Sequence, residues 1–272
     1  MTKNLDEFGL KIIADNYDIF YIDIWGVIHN GIKLHHDAIE VLLKLKVLKK
    51  KFVLLTNAPR PISNVKVQLT KLGMVPDLRD HVYTSGEASL NYLKKNLNEE
   101  NFFHIGPPKD FDLFEQFENK KKKDIFESDY ILCTGLFENQ SDDLVYYKTL
   151  LENHINKKMI CTNPDLIVDK GSRRELCAGS VAMVYEKLGG KVIYFGKPYP
   201  EVYNQSAKNS GKRVLCIGDN LNTDIKGANL LNFDSLIISS GIHKEEIKKN
   251  GIEKVSKTYE SIPNYIQSNL KW

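Results

Sequence analysis

The sequence predicts an α/β fold built on a largely parallel sheet, and three observations predict it. Short runs of β-branched and aromatic residues recur along the chain, amphipathic stretches of helical period fill the intervals, and polar or glycine residues bound the runs. The 272 residues suffice for one large core or two modest ones. With 42% hydrophobic and 27% charged residues, the chain has neither the apolar poverty of disorder nor the cysteine density of a secreted scaffold.

Residues 19–24 (IFYIDI), 52–56 (FVLLT), 192–195, 214–217 and 235–238 read as buried strands, each short and closed by polar or glycine residues. Residues 36–50 place Ile39, Leu42, Leu43 and Val47 on one helical face, and residues 178–188 form a second helix stopped by Gly189 and Gly190. Lys49, Lys50 and Lys51 end the first helix, where cations suit the negative end of its dipole. The middle of the chain has strands of its own at 102–105, 130–134 and 159–162, enough for a second α/β domain. We therefore expect a core domain of residues 1–84 and 187–272, interrupted by an inserted domain of residues 85–186. The phrases LLTNAPR and ICTNPDL look alike, but they read as two strands that end in similar turns.

A net charge of +3 is too small to argue for nucleic acid or a membrane surface as partner, and a small phosphate-bearing ligand needs no more. The run from Lys120 to Lys123 reads as a solvated loop. Cys133, Cys161, Cys177 and Cys216 lack the close spacing of a zinc or redox motif and are expected to be buried reduced thiols. The N-terminal residues mix acids into their apolar positions without a signal-peptide core, and no stretch reaches the length of a membrane span, so the expected location is the cytoplasm.

Ligands of parallel α/β sheets bind beyond the carboxyl ends of strands, and four such ends carry chemistry here. In YIDIWGV, Asp23 sits in an apolar strand end before a turn at Gly26, where a buried carboxylate needs a partner or a metal. In LLTNA, Thr56 offers a hydroxyl, and the backbone N–H groups that follow, starting at Asn57, can hold a phosphate oxygen. In FGKP, Lys197 is a compact cation suited to phosphate. In CIGDNLNTD, Asp219 and Asp224 put two carboxylates on one loop, a set that suits a hard cation held by oxygen. Alone, each has a plain structural reading: an Asp caps a helix, a Thr bonds its own backbone, a Lys faces solvent. It is their order along successive strand ends that points to a site.

That order, DxxG, then hhhTN, GKP and GDxxxTD, resembles the haloacid dehalogenase superfamily, from about Asp23 through Gly241. The resemblance implies a Rossmann-like parallel-sheet core, and an insertion between Thr56 and Lys197 looks like the α/β cap of class IIA, the group of NagD-type and 4-nitrophenylphosphatase-like proteins. TNPD at 162–165 and CAGS at 177–180 fall where that group has similar phrases. Carried over, the resemblance makes Asp23 the nucleophile that forms an aspartyl-phosphate, with Thr56, Asn57 and Lys197 holding the transferred group. It assigns Mg²⁺ to Asp23, the backbone carbonyl of Trp25, Asp219 and Asp224, and implies a small phosphorylated metabolite, such as a sugar phosphate or nucleotide, as substrate. Asn163, Asp165 and Arg173 are the candidate cap contacts, and a homodimer is expected because class IIA relatives are often dimers.

One position departs from the pattern. Phosphatases of this superfamily carry a second Asp two residues after the nucleophile, which protonates the leaving alcohol and later activates water; here Trp25 stands in its place, as in some class IIA relatives that read DxWGV. An indole can do neither job, although its backbone carbonyl can still meet a metal. A general acid contributes roughly 10²–10⁴-fold, so slow turnover is expected, least impaired for leaving groups that need no proton. Trp25 serves equally well as a space-filling side chain or as a substrate contact. His29, on the following turn, is either a replacement acid or an exposed turn histidine; His104 ends a strand of the insertion, and His35 and His36 precede a helix. The alternative to a phosphatase is a catalytically impaired protein that binds Mg²⁺ and a phosphorylated ligand as a sensor. A receiver-type phosphoacceptor domain has no room for the insertion, and dehalogenation does not need the GDxxxTD loop.

Overall fold

The structure, a computed structural model, describes residues 2–170 and 173–272; the side chains of Asp169, Lys170 and Arg173 lie outside that description. Strands β1 (Lys3–Asn4), β2 (Ile19–Ile22), β3 (Lys51–Thr56) and β4 (Val82–Thr84) come first. Then follow β5 (Phe102–Ile105), β6 (Lys121–Lys122), β7 (Tyr130–Cys133), β8 (Lys158–Cys161), β9 (Ile167–Lys170), β10 (Arg173–Leu176) and β11 (Lys191–Tyr194). The chain closes with β12 (Val214–Gly218), β13 (Asp234–Ile238) and β14 (Tyr265–Gln267). By internal contacts it forms two compact units, Met1–Thr56 with Lys66–Tyr83 and Tyr203–Trp272, and Asn57–Val65 with Thr84–Val202.

The first unit is built on a sheet of order β1-β14-β13-β12-β2-β3-β4, parallel at β1–β14, β14–β13, β13–β12, β12–β2 and β2–β3. β2 and β12 are buried along their whole length because both faces are covered, which is why they read as continuous apolar runs rather than as alternating ones. The register sets Ile217 beside Ile22 and Ile22 beside Leu54, so β12, β2 and β3 finish at one edge of the sheet.

The helix after β2 spans His36–Val47, but its buried face is Ala38, Val41, Leu42 and Leu45. Leu43 is 47% and Val47 78% exposed, so the expected face of Ile39, Leu42, Leu43 and Val47 is rotated by about one position. A helix apolar on most sides offers two stripes at i, i+3, i+4, i+7 spacing, and packing chooses between them.

The second unit has a sheet of order β11-β8-β7-β5-β6, parallel throughout, and an antiparallel β9–β10 pair. Its core gathers Ile105, Ile131, Cys133, Met159 and Cys161 with Ala178, Val181, Ala182 and Tyr185 of the helix Ala178–Lys187. The four cysteines are free and buried. The run at 192–195, expected as a buried strand, is instead an edge strand, β11, whose Val192, Ile193 and Tyr194 are only half-buried. The lysine run is no loop either: Lys121 and Lys122 form β6 against β5, Lys120 pairs with Glu99 at 3.1 Å, and the Lys121 ammonium lies 4.3 Å from the Phe111 ring centroid. Among the described residues no helix is long and apolar enough to cross a membrane.

Candidate functional site

The three strands that finish together in the first unit bring Asp23, Thr56 and Asp219 to one edge of the sheet. Asp23 follows β2 and its N–H donates to the Ile217 carbonyl at 2.8 Å, which ties the start of its turn to β12. Thr56 is the last residue of β3, and Asp219 follows β12 through Gly218. Asp224 is returned to the same place by a π-turn, Leu221–Ile225, in which Asp224 and Ile225 N–H both donate to the Asn220 carbonyl, at 3.0 and 3.3 Å. As a result, carboxylate oxygens of Asp23, Asp219 and Asp224 all lie within 4.8 Å of one another. Asp23 and Asp219 are 8% exposed and Asp224 3%.

The local backbone is shaped around these carboxylates. A Cβ on Gly218 would stand 1.9 Å from Asp224 Cγ, one on Gly26 2.1 Å from Asp219 Oδ2, and one on Gly241 2.3 Å from Asp219 Cβ. Gly26 also has φ +84°, a left-handed conformation that glycine adopts without strain. Asp224 Oδ2 accepts from Asn220 N–H at 3.2 Å and Asp219 Oδ2 from Ile242 N–H at 3.1 Å. Like charges this close inside a protein repel by about 3 kcal/mol per pair at an effective dielectric near 20. Three buried hard-oxygen donors converging on one point fit Mg²⁺, which prefers carboxylate and carbonyl oxygen.

The turn after Asp23 holds Trp25 and His29. Gly26 N–H donates to the His29 carbonyl at 2.8 Å and His29 N–H to the Ile24 carbonyl at 3.2 Å. The indole stands edge-on to the imidazole, centroids 5.1 Å apart, and covers Gly31, where a Cβ would meet Trp25 Cη2 at 2.8 Å. His29 is therefore not an exposed turn histidine: it is buried, and Nδ1 accepts from Gly31 N–H at 2.9 Å. Burial, helped by the His35 charge, pulls its pKa down to about 4, so the ring is neutral at pH 7. His35 precedes the helix without a side-chain capping bond.

Lys197 and the remaining candidates lie in the second unit. Lys197 is buried, and its backbone is gripped from both sides by Asn57, whose Oδ1 accepts from Lys197 N–H at 2.7 Å and whose Nδ2 donates to the Lys197 carbonyl at 3.0 Å. The same Nδ2 donates to Asp165 Oδ1 at 3.1 Å, so Asn57, Asp165 and Lys197 form one network. Gly196 permits this closeness, since a Cβ there would be 2.6 Å from Asn57 Oδ1. Asn163 Oδ1 accepts from Asp165 N–H at 3.0 Å and shapes the TNPD turn. Arg173 begins β10; its side chain lies outside the described residues.

Two groups escaped the sequence reading. Asp110, after β5, is buried 4.0 Å from Arg60 Nε; burial pushes its pKa up to about 6 against the opposing charges of Lys109 and Arg60. His243 lies in the segment after β13, a strand end like those that carry the other candidates. His104 lies within β5, where burial and the Lys121 charge lower its pKa to about 3 and its Nε2 is 2.9 Å from Thr134 Oγ1.

Comparison with known proteins bears on both units. The model of haloacid dehalogenase-like hydrolases matches residues 20–120, and that of HAD-hydrolase-like proteins residues 194–269. A crystal structure of a hydrolase of the haloacid dehalogenase-like family from Brucella suis 1330 superposes with TM-score 0.78 at 32% identity, covering 86% of this chain and 93% of that one. The 4-nitrophenylphosphatase of Thermotoga maritima superposes with TM-score 0.72 at 25% identity over 95% of this chain and 96% of its own. A 5'-nucleotidase of Bacillus subtilis (strain 168) is 22% identical over 264 residues, which are 92% of this chain and 98% of that protein.

Proposed function

The chain belongs to the haloacid dehalogenase-like hydrolase family, and from that premise we propose that it is a Mg²⁺-dependent phosphatase of small phosphorylated metabolites, nucleotides and sugar phosphates among them. The observation that carries this reading is the convergence of the buried Asp23, Asp219 and Asp224 carboxylates at adjoining strand ends. The names of its relatives, a 4-nitrophenylphosphatase and a 5'-nucleotidase, support the substrate class. Residues 85–186 serve as a cap domain in this reading, with Asn163, Asp165 and Arg173 as substrate contacts. The location is cytoplasmic, which four free, buried cysteines support.

Asp23, Asp219, Asp224 and the Trp25 carbonyl would hold the cation, which when bound offsets the negative charge gathered around the transferred phosphoryl group. A carboxylate oxygen of Asp23 attacks phosphorus, the bond to the leaving oxygen breaks with its electron pair on that oxygen, and water later hydrolyses the aspartyl-phosphate to free Asp23. Thr56, Asn57 and Lys197 are assigned to the transferred group, with Asn57 also fixing the Lys197 backbone.

The leaving oxygen must find its proton without help from residue 25, because an indole has none to give, and His29 is neutral at pH 7 with Nδ1 already accepting a hydrogen bond. Turnover is therefore slow for alkyl phosphates and faster for aryl and acyl phosphates, whose leaving groups need no proton. The missing acid is also the observation that favours a second reading, a sensor that binds Mg²⁺ and a phosphorylated ligand without turnover.

Turnover of 4-nitrophenyl phosphate, acetyl phosphate and glycerol 3-phosphate by native protein, Asp23→Asn and Trp25→Asp tests both. Aryl and acyl hydrolysis lost in Asp23→Asn, with alkyl hydrolysis raised in Trp25→Asp, is expected. Mg²⁺-dependent binding of phosphate esters with no turnover of any would instead establish the sensor.

A further inference from the structure

We propose that His243, oriented by Glu246, is a positioning residue that holds the Asp219–Asp224 loop in the shape that binds the cation; the inference rests on the assignment of those two carboxylates as cation ligands. The π-turn that carries Asp224 begins with backbone N–H groups that the turn's own carbonyls do not serve, and such groups need side-chain partners. Three side chains take three successive ones. Asp224 Oδ2 accepts from Asn220 at 3.2 Å, His243 Nε2 from Leu221 at 3.1 Å, and Asn220 Oδ1 from Asn222 at 2.9 Å. The first and third acceptors belong to the loop itself, whereas His243 comes from the segment after β13.

For Nε2 to accept, it must be unprotonated, which places the ring proton on Nδ1. Nδ1 lies 3.2 Å from Glu246 Oε2, and the Glu246 carboxylate also accepts from the Tyr259 hydroxyl at 3.0 and 3.2 Å. The Tyr259 ring stands edge-on to the imidazole with centroids 4.6 Å apart, which closes the other side. Glu246 and Tyr259 thus fix both the tautomer and the ring plane that the Leu221 N–H requires. The same segment reaches the other carboxylate: Ile242 N–H donates to Asp219 Oδ2 at 3.1 Å, and Gly241 packs against Asp219 Cβ. One short stretch, Gly241 to His243, therefore holds the loop at Asp219 and at Leu221 together. Outer partners of this kind change metal affinity by about 10–100-fold when removed.

The test is Mg²⁺ binding by isothermal titration calorimetry, with the Mg²⁺-induced rise in thermal midpoint as a second reading and circular dichroism to report folding. The proteins are native, His243→Leu, His243→Gln, Glu246→Ala and Asp219→Asn. A Gln amide oxygen reaches the place of Nε2, while Leu fills the same volume without an acceptor. Glu246 is half-exposed, 51% by side chain, so its Ala variant folds even where His243→Leu does not. We expect Mg²⁺ affinity about 10-fold or more weaker in His243→Leu, recovery to within about threefold of native in His243→Gln, and an intermediate loss in Glu246→Ala. Native-like affinity in either His243→Leu or Glu246→Ala would overturn the inference and leave the phosphatase reading standing, as would equal loss in Leu and Gln variants, which would mark a packing role. Absence of Mg²⁺ binding by the native protein, with Asp219→Asn no different, would overturn the proposed function and this inference with it.

Discussion

Mg²⁺ should invert the order of stability between native protein and Asp219→Asn. The carboxylate oxygens of Asp23, Asp219 and Asp224 lie within 4.8 Å of one another, so Asp219 stands in two of the three like-charge pairs. At such separations and an effective dielectric near 20, each pair costs about 3 kcal/mol, and removing two pairs releases about 6 kcal/mol before any relief from the surroundings. Backbone N–H donors on Asp224 and Asp219 already relieve part of this, which leaves an expected gain of about 1–3 kcal/mol for Asp219→Asn without metal. The amide oxygen keeps the acceptor that Ile242 N–H uses. In excess chelator the variant should melt a few degrees above native, since about 1 kcal/mol moves the midpoint by about 2–4 °C in proteins approaching this size. In saturating Mg²⁺ the order should invert, because native protein gains about 2.7 kcal/mol when free Mg²⁺ is 100 times the dissociation constant and the variant gains little. Differential scanning calorimetry in chelator and in a Mg²⁺ series reads both. A variant that is less stable than native in chelator, or a native midpoint that Mg²⁺ leaves unmoved, would refute the view that these carboxylates are held together for a cation.

Gly218→Ala should cost about 1–3 kcal/mol and abolish the Mg²⁺-induced rise in midpoint, because its Cβ would stand 1.9 Å from Asp224 Cγ; thermal melts with and without Mg²⁺ decide it. Asn57→Ala should destabilise the protein by about 1–3 kcal/mol in denaturant titrations, since it takes from buried Lys197 N–H its acceptor at 2.7 Å. His104 has a folded pKa of about 3 against an unfolded 6.5, so its contribution is full above about pH 6.5 and is lost as pH falls toward 3. At pH 4.5 that loss is about 3 kcal/mol, and His104→Gln should flatten the fall in stability between pH 6.5 and 4.5 by about that amount in urea titrations.

The α/β class and the largely parallel sheet were legible because strand and helix periods are local properties of the chain, and buried parallel strands announce themselves as unbroken apolar runs. The same locality hid the helix face at His36–Val47, where two apolar stripes were available and only the sheet beneath chose Ala38, Val41, Leu42 and Leu45. It also hid the state of His29, since an imidazole on a turn is exposed or buried according to what folds over it.

What the sequence by itself determined is which residue types stand at strand ends: Asp23, Thr56, Lys197 and Asp219 each follow an apolar run that could be marked off without knowledge of its neighbours. What only the tertiary structure decided is which of these meet. The placement of β12 beside β2 brings Asp219 to Asp23, the π-turn carries Asp224 back to both, and Asn57 turns its amide to the Lys197 backbone. The segment after β13 reaches across to Leu221 in the same way. These are pairings between segments far apart in the chain, fixed by strand order, register and burial, and no local period of the sequence encodes them.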